Sequence, residues 1–209
     1  MATRPAWTVK DGKIIREDFA FEWHGGFAVV QKQKNIQGLH QAIMDKTGQR
    51  ALEISSKSTE DLGRNLSAFN LTLSGKPIEN IFQAAKQYES GGPYADLLEA
   101  LPQDAKRDPR HTTSGKLTAF IRNGEVWPLE PKTAFYDAVY LTAVYEKYGA
   151  ELNLSPYQWF TDIEFNPKKS INCQARAVAI YLLLQSTHGF EVLSSQEKWL
   201  DFHRKYVAG

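Results

Sequence analysis

Residues 177–184, Ala-Val-Ala-Ile-Tyr-Leu-Leu-Leu, are apolar on every side of a helix. Such a segment has to be enclosed all round. It is far shorter than the roughly 20 residues that span a bilayer, so it predicts a helix at the centre of a globular core. Directly before it stands Thr161-Asp-Ile-Glu-Phe-Asn-Pro-Lys-Lys-Ser-Ile-Asn-Cys-Gln-Ala175, polar and interrupted by Pro167. Polar groups gathered at the mouth of a buried helix read as a binding loop on a rigid scaffold.

The chain has 209 residues, enough for one domain with a substantial core. Its formal net charge of +1 gives no global field toward DNA or a membrane. A nucleic-acid partner would be held by a local patch, for which Lys32, Lys34, Lys168, Lys169 and Arg176 are candidates. The single cysteine, Cys173, excludes an internal disulfide framework and fits a reducing compartment. It reads as a small buried residue before a nucleophile. No run reaches transmembrane length, and Met1-Ala-Thr-Arg-Pro5 has no signal-peptide core. A cytoplasmic protein is expected.

Along the chain, residues 17–30 predict a hairpin turning at Gly25-Gly26 and ending in Phe27-Ala-Val-Val30. Residues 34–46 predict a helix, with Ile36, Leu39, His40 and Ile43 on one face. Residues 51–55 alternate as a strand, and Ser58 is placed to cap a short helix. A helix starts after Pro77 and ends near Gly91-Gly92. Residues 94–106 form a further short helix, and 107–117 a charged loop. Asn123-Gly124 joins two strands. Pro131 opens a long helix reaching Gly149, and helices over 173–185 and 195–206 close the chain. The fold class is α+β: one domain over 1–209, predominantly helical, with a small antiparallel sheet.

On the helix after Pro77, Glu79, Gln83 and Lys86 fall at i, i+4 and i+7 and share one face. That spacing admits two readings: three polar groups converging on a pocket, or a solvated face. Lys132 lies near a predicted helix N-terminus, where the macrodipole disfavours a cation; it either points to water or binds an anion. Asp162 and Glu164 alternate on an extended piece, so at most one faces a given pocket. Asn172 and Gln174 start the apolar helix, whose first N–H groups suit a phosphate; Asn172 is equally a plain cap. Ser55, Ser56 and Lys57 follow a strand, a frequent place for ligand contacts. The chain has no GxGxxG, Walker A, HExxH or CxxC pattern, and its histidines lack metal spacing. Neither a metal nor another cofactor is expected.

In combination these residues resemble the NADAR domains. The matching pieces are Ser67-Ala-Phe69, Glu79-Asn-Ile-Phe-Gln83-Ala-Ala-Lys86, Trp127 to Lys132, and Asp162 to Asn172. Leu52-Glu-Ile-Ser-Ser-Lys57, Leu66-Ser-Ala-Phe-Asn70 and Thr161-Asp-Ile-Glu-Phe-Asn166 are similar to the antitoxin branch paired with DarT-type DNA ADP-ribosyltransferases. The chain departs from many members at Asn80, where they have His, and at Phe165-Asn166, where they have Trp-Gly.

The resemblance implies a NADAR fold and an ADP-ribosyl glycohydrolase that removes ADP-ribose from guanine in DNA, undoing a DarT-type toxin. It implies Glu79, Lys86, Lys132 and Asp162 as catalytic residues. As substrate contacts it implies Ser56, Lys57, Ser67, Phe69, Asn70, Gln83, Trp127, Glu164, Asn166 and Asn172. ADP-ribosylated DNA, its ADP-ribose product and the cognate toxin are the implied partners. An N-glycosidase of riboflavin-pathway intermediates and a non-catalytic ADP-ribose-binding module are the alternatives.

Overall fold

The computed structural model describes residues 1–168 and 170–207; Lys169, one member of the expected basic patch, lies outside them. Asp11 and Gly12 reverse the chain, with φ of 51° and 69°. That left-handed pair matches the twist of a two-residue hairpin. It joins β1 (Ala2–Lys10) to β2 (Lys13–Phe21) in register from Ala2↔Phe21 to Lys10↔Lys13. The hairpin expected at Gly25-Gly26 does not form. Those glycines lie in a loop, and Val29 and Val30 open a helix instead of ending a strand. Asp11-Gly12 supplies positive φ at both turn positions between two long strands, which leaves residues 22–28 as a connection.

The chain continues through α1 (Val29–Thr47), β3 (Ala51–Glu53), α2 (Asp61–Asn65), β4 (Thr72–Leu73), β5 (Lys76–Pro77) and α3 (Ile78–Ala84). Then come β6 (Lys86–Tyr88), α4 (Pro102–Arg107), α5 (Arg110–Thr113), β7 (Leu117–Arg122) and β8 (Glu125–Trp127). It closes with α6 (Ala134–Tyr148), β9 (Trp159–Thr161), α7 (Gln174–Leu183) and α8 (Gln196–Tyr206). The α+β class holds. No helix among the described residues is long and apolar enough to cross a membrane.

Two compact units divide the chain: residues 1–70 with 148–191, and 71–147 with 192–207 of the described C-terminus. In the first, the sheet order is β2-β1-β9-β3. Pairing is antiparallel at β1–β2 and β1–β9, but parallel between β3 and β9, so this sheet is mixed. Parallel neighbours need a long crossover, and a hundred-odd residues of chain separate Glu53 from Thr161 (sequence separation 108). The helix α1 buries Ile36, Leu39 and Ile43 against Phe19, Phe21 and Trp159. As its composition requires, α7 is buried along nearly its whole length.

Gly63 of α2 sits so close to the strand end that a Cβ would stand 2.0 Å from the Glu53 carbonyl oxygen. Backbone cannot yield as a flexible side chain can. Gly63→Ala is therefore expected to cost about 1–3 kcal/mol by overpacking, read as a lower urea midpoint with an unchanged slope. An unshifted midpoint would mean that α2 moves freely.

In the second unit β6, β7 and β8 form an antiparallel sheet whose tight turn is Asn123-Gly124, as expected. Phe82, Phe120, Trp127 and Phe135 stack against one another; Phe120 and Phe135 lie 4.6 Å apart. The buried His203 on α8 meets Asp137 on α6 at 3.0 Å, and Trp199 Nε1 donates to the Ala134 carbonyl. These bonds fix α8 to α6.

Candidate active site

The second unit carries a hydrogen-bonded chain of three side chains. Gln83 Nε2 donates to Glu79 Oε1 at 2.7 Å, and Lys86 Nζ donates to Gln83 Oε1 at 2.5 Å. Glu79 and Gln83 are one helical turn apart on α3. Lys86 is not on the helix as expected. α3 stops at Ala84, because the carbonyls of Ala84 and Ala85 accept from Tyr94 and Ile121 N–H groups. Lys86 opens β6 opposite Phe120, yet its amine still reaches Gln83. The three side chains are bonded in line and are not a fully solvated face: Gln83 is buried, Glu79 is 15% exposed, and Lys86 is half-buried.

Burial pushes the Lys86 amine below its ordinary range, the Glu79 charge opposes this, and the Lys106 charge adds to it. Lys106 Nζ lies 3.9 Å from Glu79 Oε1, and the Lys86 amine sits 5.2 Å from the Phe82 ring centre. A carboxylate, an amide and a desolvated amine are thus linked in line. Such a set can move a proton and present a free amine to a carbonyl or imine carbon.

The residue after Glu79 turns the other way. Asn80 is buried, and its amide donates to the Leu97 and Ala100 carbonyls. It clamps the following loop. Trp127 packs edge-on against Phe135. Lys132 is exposed and lies ahead of α6, which begins at Ala134; Thr133, with φ of 71°, breaks the run from Pro131. The Lys132 side chain has no hydrogen bond or ion pair among the described residues, so it is not part of the Glu79–Gln83–Lys86 chain.

The first unit holds a second cluster around two buried carboxyls. Asp162 Oδ1 accepts the N–H groups of Glu164 and Phe165 at 3.0 and 3.1 Å, which tightens the loop after β9. Burial, with the Glu53 charge nearby, pushes Asp162 well above the usual carboxylate range; Gln174 and those two N–H groups oppose the rise. Glu53, which the sequence reading did not single out, is also enclosed and pushed up by burial. It accepts the Ile163 N–H at 2.8 Å and the Thr161 hydroxyl at 2.7 Å. His40 Nε2 lies 2.9 Å from that hydroxyl, and burial pushes its imidazole down to about 4. No sequence signal marks it, because Leu52-Glu-Ile-Ser55 alternates as a strand with one wet face does.

The extended piece expected over 162–164 is a turn closed by Asp162; Asp162 is buried, while Glu164 is exposed and pairs with Lys32 at 3.3 Å. Phe165 packs edge-on against Trp7 at 5.7 Å. Asn166 Oδ1 accepts the Lys168 N–H. Asn172 does not cap α7; the cap position is Cys173, which is buried, its thiol pushed well up by burial. The next residue, Gln174, accepts the Ala68 N–H at 2.7 Å. The α7 start is thus enclosed and bonded to the 66–70 loop, not open to a phosphate.

In that loop Ser67 is buried, whereas Phe69 and Asn70 are exposed. Asn70 Nδ2 holds the Arg64 carbonyl. Ser56 and Lys57 are half-buried in the turn after β3, where the Lys57 N–H bonds Ser55 Oγ. Ser58 does not cap α2, which starts at Asp61; its hydroxyl accepts the Glu60 N–H.

A family model described as "DarT1-associated NADAR antitoxin" matches residues 2–208. No curated protein matches the chain. The chain belongs to the DarT1-associated NADAR antitoxin family.

Proposed function

From that membership we propose that this antitoxin is a glycohydrolase that removes ADP-ribose from guanine bases of DNA. The observation that carries the reading is the Glu79–Gln83–Lys86 chain with its desolvated amine. The bond to be broken joins the ribose anomeric carbon to the exocyclic nitrogen of guanine. Opening of the ribose ring makes that carbon an imine. The Lys86 amine adds to it, a proton passes to the guanine nitrogen, and guanine leaves with its amino group restored. Water then adds to the lysine Schiff base, releasing ADP-ribose and the free amine. Glu79, reached through Gln83, is the group that moves the protons.

Lys132, exposed and uncommitted, is the candidate to hold the diphosphate. Asp162 is proposed as catalytic on the family resemblance alone; its own bonds order the 162–165 loop.

The test is mass spectrometry of an oligonucleotide carrying ADP-ribosylated guanine, incubated with wild type and with Glu79→Gln. Wild type is expected to release ADP-ribose, and the variant to be slower by on the order of 10²-fold or more. Absence of release by folded wild type would move the assignment to a module that only binds ADP-ribose or the toxin.

A further inference from the structure

Residues 25–30 are exposed without a break, and Phe27 is 99% exposed. Val29 and Val30 beside it are 48% and 60% exposed. The segment is not loosely attached. Buried Asn35 accepts the His24 N–H at 2.7 Å and donates to the His24 carbonyl at 2.9 Å. The loop base is therefore pinned to α1, and Gly26, with φ of 114°, makes the bend before Phe27.

Cations lie at the base of this loop, beside Trp23. The Arg4 guanidinium lies 4.8 Å and the Lys32 ammonium 5.8 Å from the Trp23 ring centre. Lys34 follows Val30 by one helical turn and is exposed. The Lys32–Glu164 ion pair joins α1 to the 162–168 loop, which carries exposed Lys168. Neither Lys34 nor Lys168 has an ion-pair partner among the described residues. Of the acids in these segments, Glu164 is already paired and Glu22 is exposed.

We propose that Phe27 is a stacking platform for a nucleobase of a single DNA strand, with Lys34 and Lys168 taking phosphates of that strand. This rests on the DNA-glycohydrolase reading above. Three exposed apolar side chains match one or two base faces. They fall far short of the ~800 Å² per partner that a stable protein interface buries. An exposed ring among unpaired cations is the composition that holds single strands without reading sequence. It also gives a nearly neutral protein a local grip on a polyanion.

The probe is a short, fluorescein-labelled single-stranded oligonucleotide with unmodified guanine, followed by anisotropy at low salt. Phe27→Ala is expected to weaken binding by about 5-fold or more, and Phe27→Trp to retain it. Lys34→Ala is expected to weaken binding and flatten its salt dependence. In turnover, Phe27→Ala should slow release from the modified oligonucleotide and leave release from ADP-ribosylated guanosine unchanged. Wild-type anisotropy for folded Phe27→Ala would overturn the platform. So would a wild-type dimer in ultracentrifugation that this variant dissolves, because the occupant would then be a second copy. If wild type releases ADP-ribose from neither substrate, the glycohydrolase reading fails, while the anisotropy result still decides the platform.

Discussion

Lys86→Ala is expected to abolish most turnover, with kcat/KM on the modified oligonucleotide falling by on the order of 10³–10⁴-fold. The amine is half-buried on a short strand, donating to Gln83. Its removal leaves a Gln83–Glu79 pair that is still bonded, so the unit should stay folded. Borohydride added during turnover should trap wild type as a covalent adduct on Lys86. Lys86→Arg keeps the charge but cannot form the imine, and should show neither adduct nor rate. Burial lowers the Lys86 pKa, so the free amine accumulates at a lower pH than for an exposed lysine. kcat/KM should accordingly rise with pH and level off below the ordinary lysine range. Full activity without any adduct would leave Glu79 and an activated water as the working pair, through an oxocarbenium-like state.

Glu53→Ala is expected to cost about 3–5 kcal/mol, the larger of the two stability effects, because it orphans the Ile163 N–H, leaves the Thr161 hydroxyl only His40 as a partner, and opens a cavity. The denaturant midpoint checks it; a loss under about 1 kcal/mol would mean that water refills the space. A pH effect goes with it. Glu53 and Asp162 both have folded pKa values raised above the unfolded ones. The folded state therefore holds protons more tightly, and stability declines as pH rises from the ordinary carboxylate range through the raised values. Wild type should show that decline in melting temperature, and Glu53→Gln should flatten it. An equal slope in both proteins would place the titration elsewhere.

How much of this was legible depended on whether the deciding force was local. The α7 core was legible because its residues are apolar on every side, and the β7–β8 turn because Asn-Gly needs no distant help. The end of α3 was not, since Tyr94 and Ile121 set it from outside the helix. Glu79, Gln83 and Lys86 still meet, through a helix–strand junction instead of one face. The N-terminal hairpin was written in Asp11-Gly12, but Gly25-Gly26 offered a competing turn whose following residues have strand propensity. Glu53 was hidden because residues 51–55 alternate like a half-exposed strand, while β3 is buried throughout. Lys132 was misplaced relative to α6 because a positive φ at Thr133 cannot be read from a proline.

The position of β9 between β1 and β3 sets a clock on synthesis. The N-terminal hairpin and β3 leave the ribosome early, but the strand that joins them arrives with Thr161, 108 residues after its partner Glu53. At roughly 5–20 residues per second that is a delay of about 5–20 s. During it the nascent chain presents two open strand edges. Rare codons or a pause within residues 54–160 would lengthen the exposed interval without changing a single contact of the folded protein.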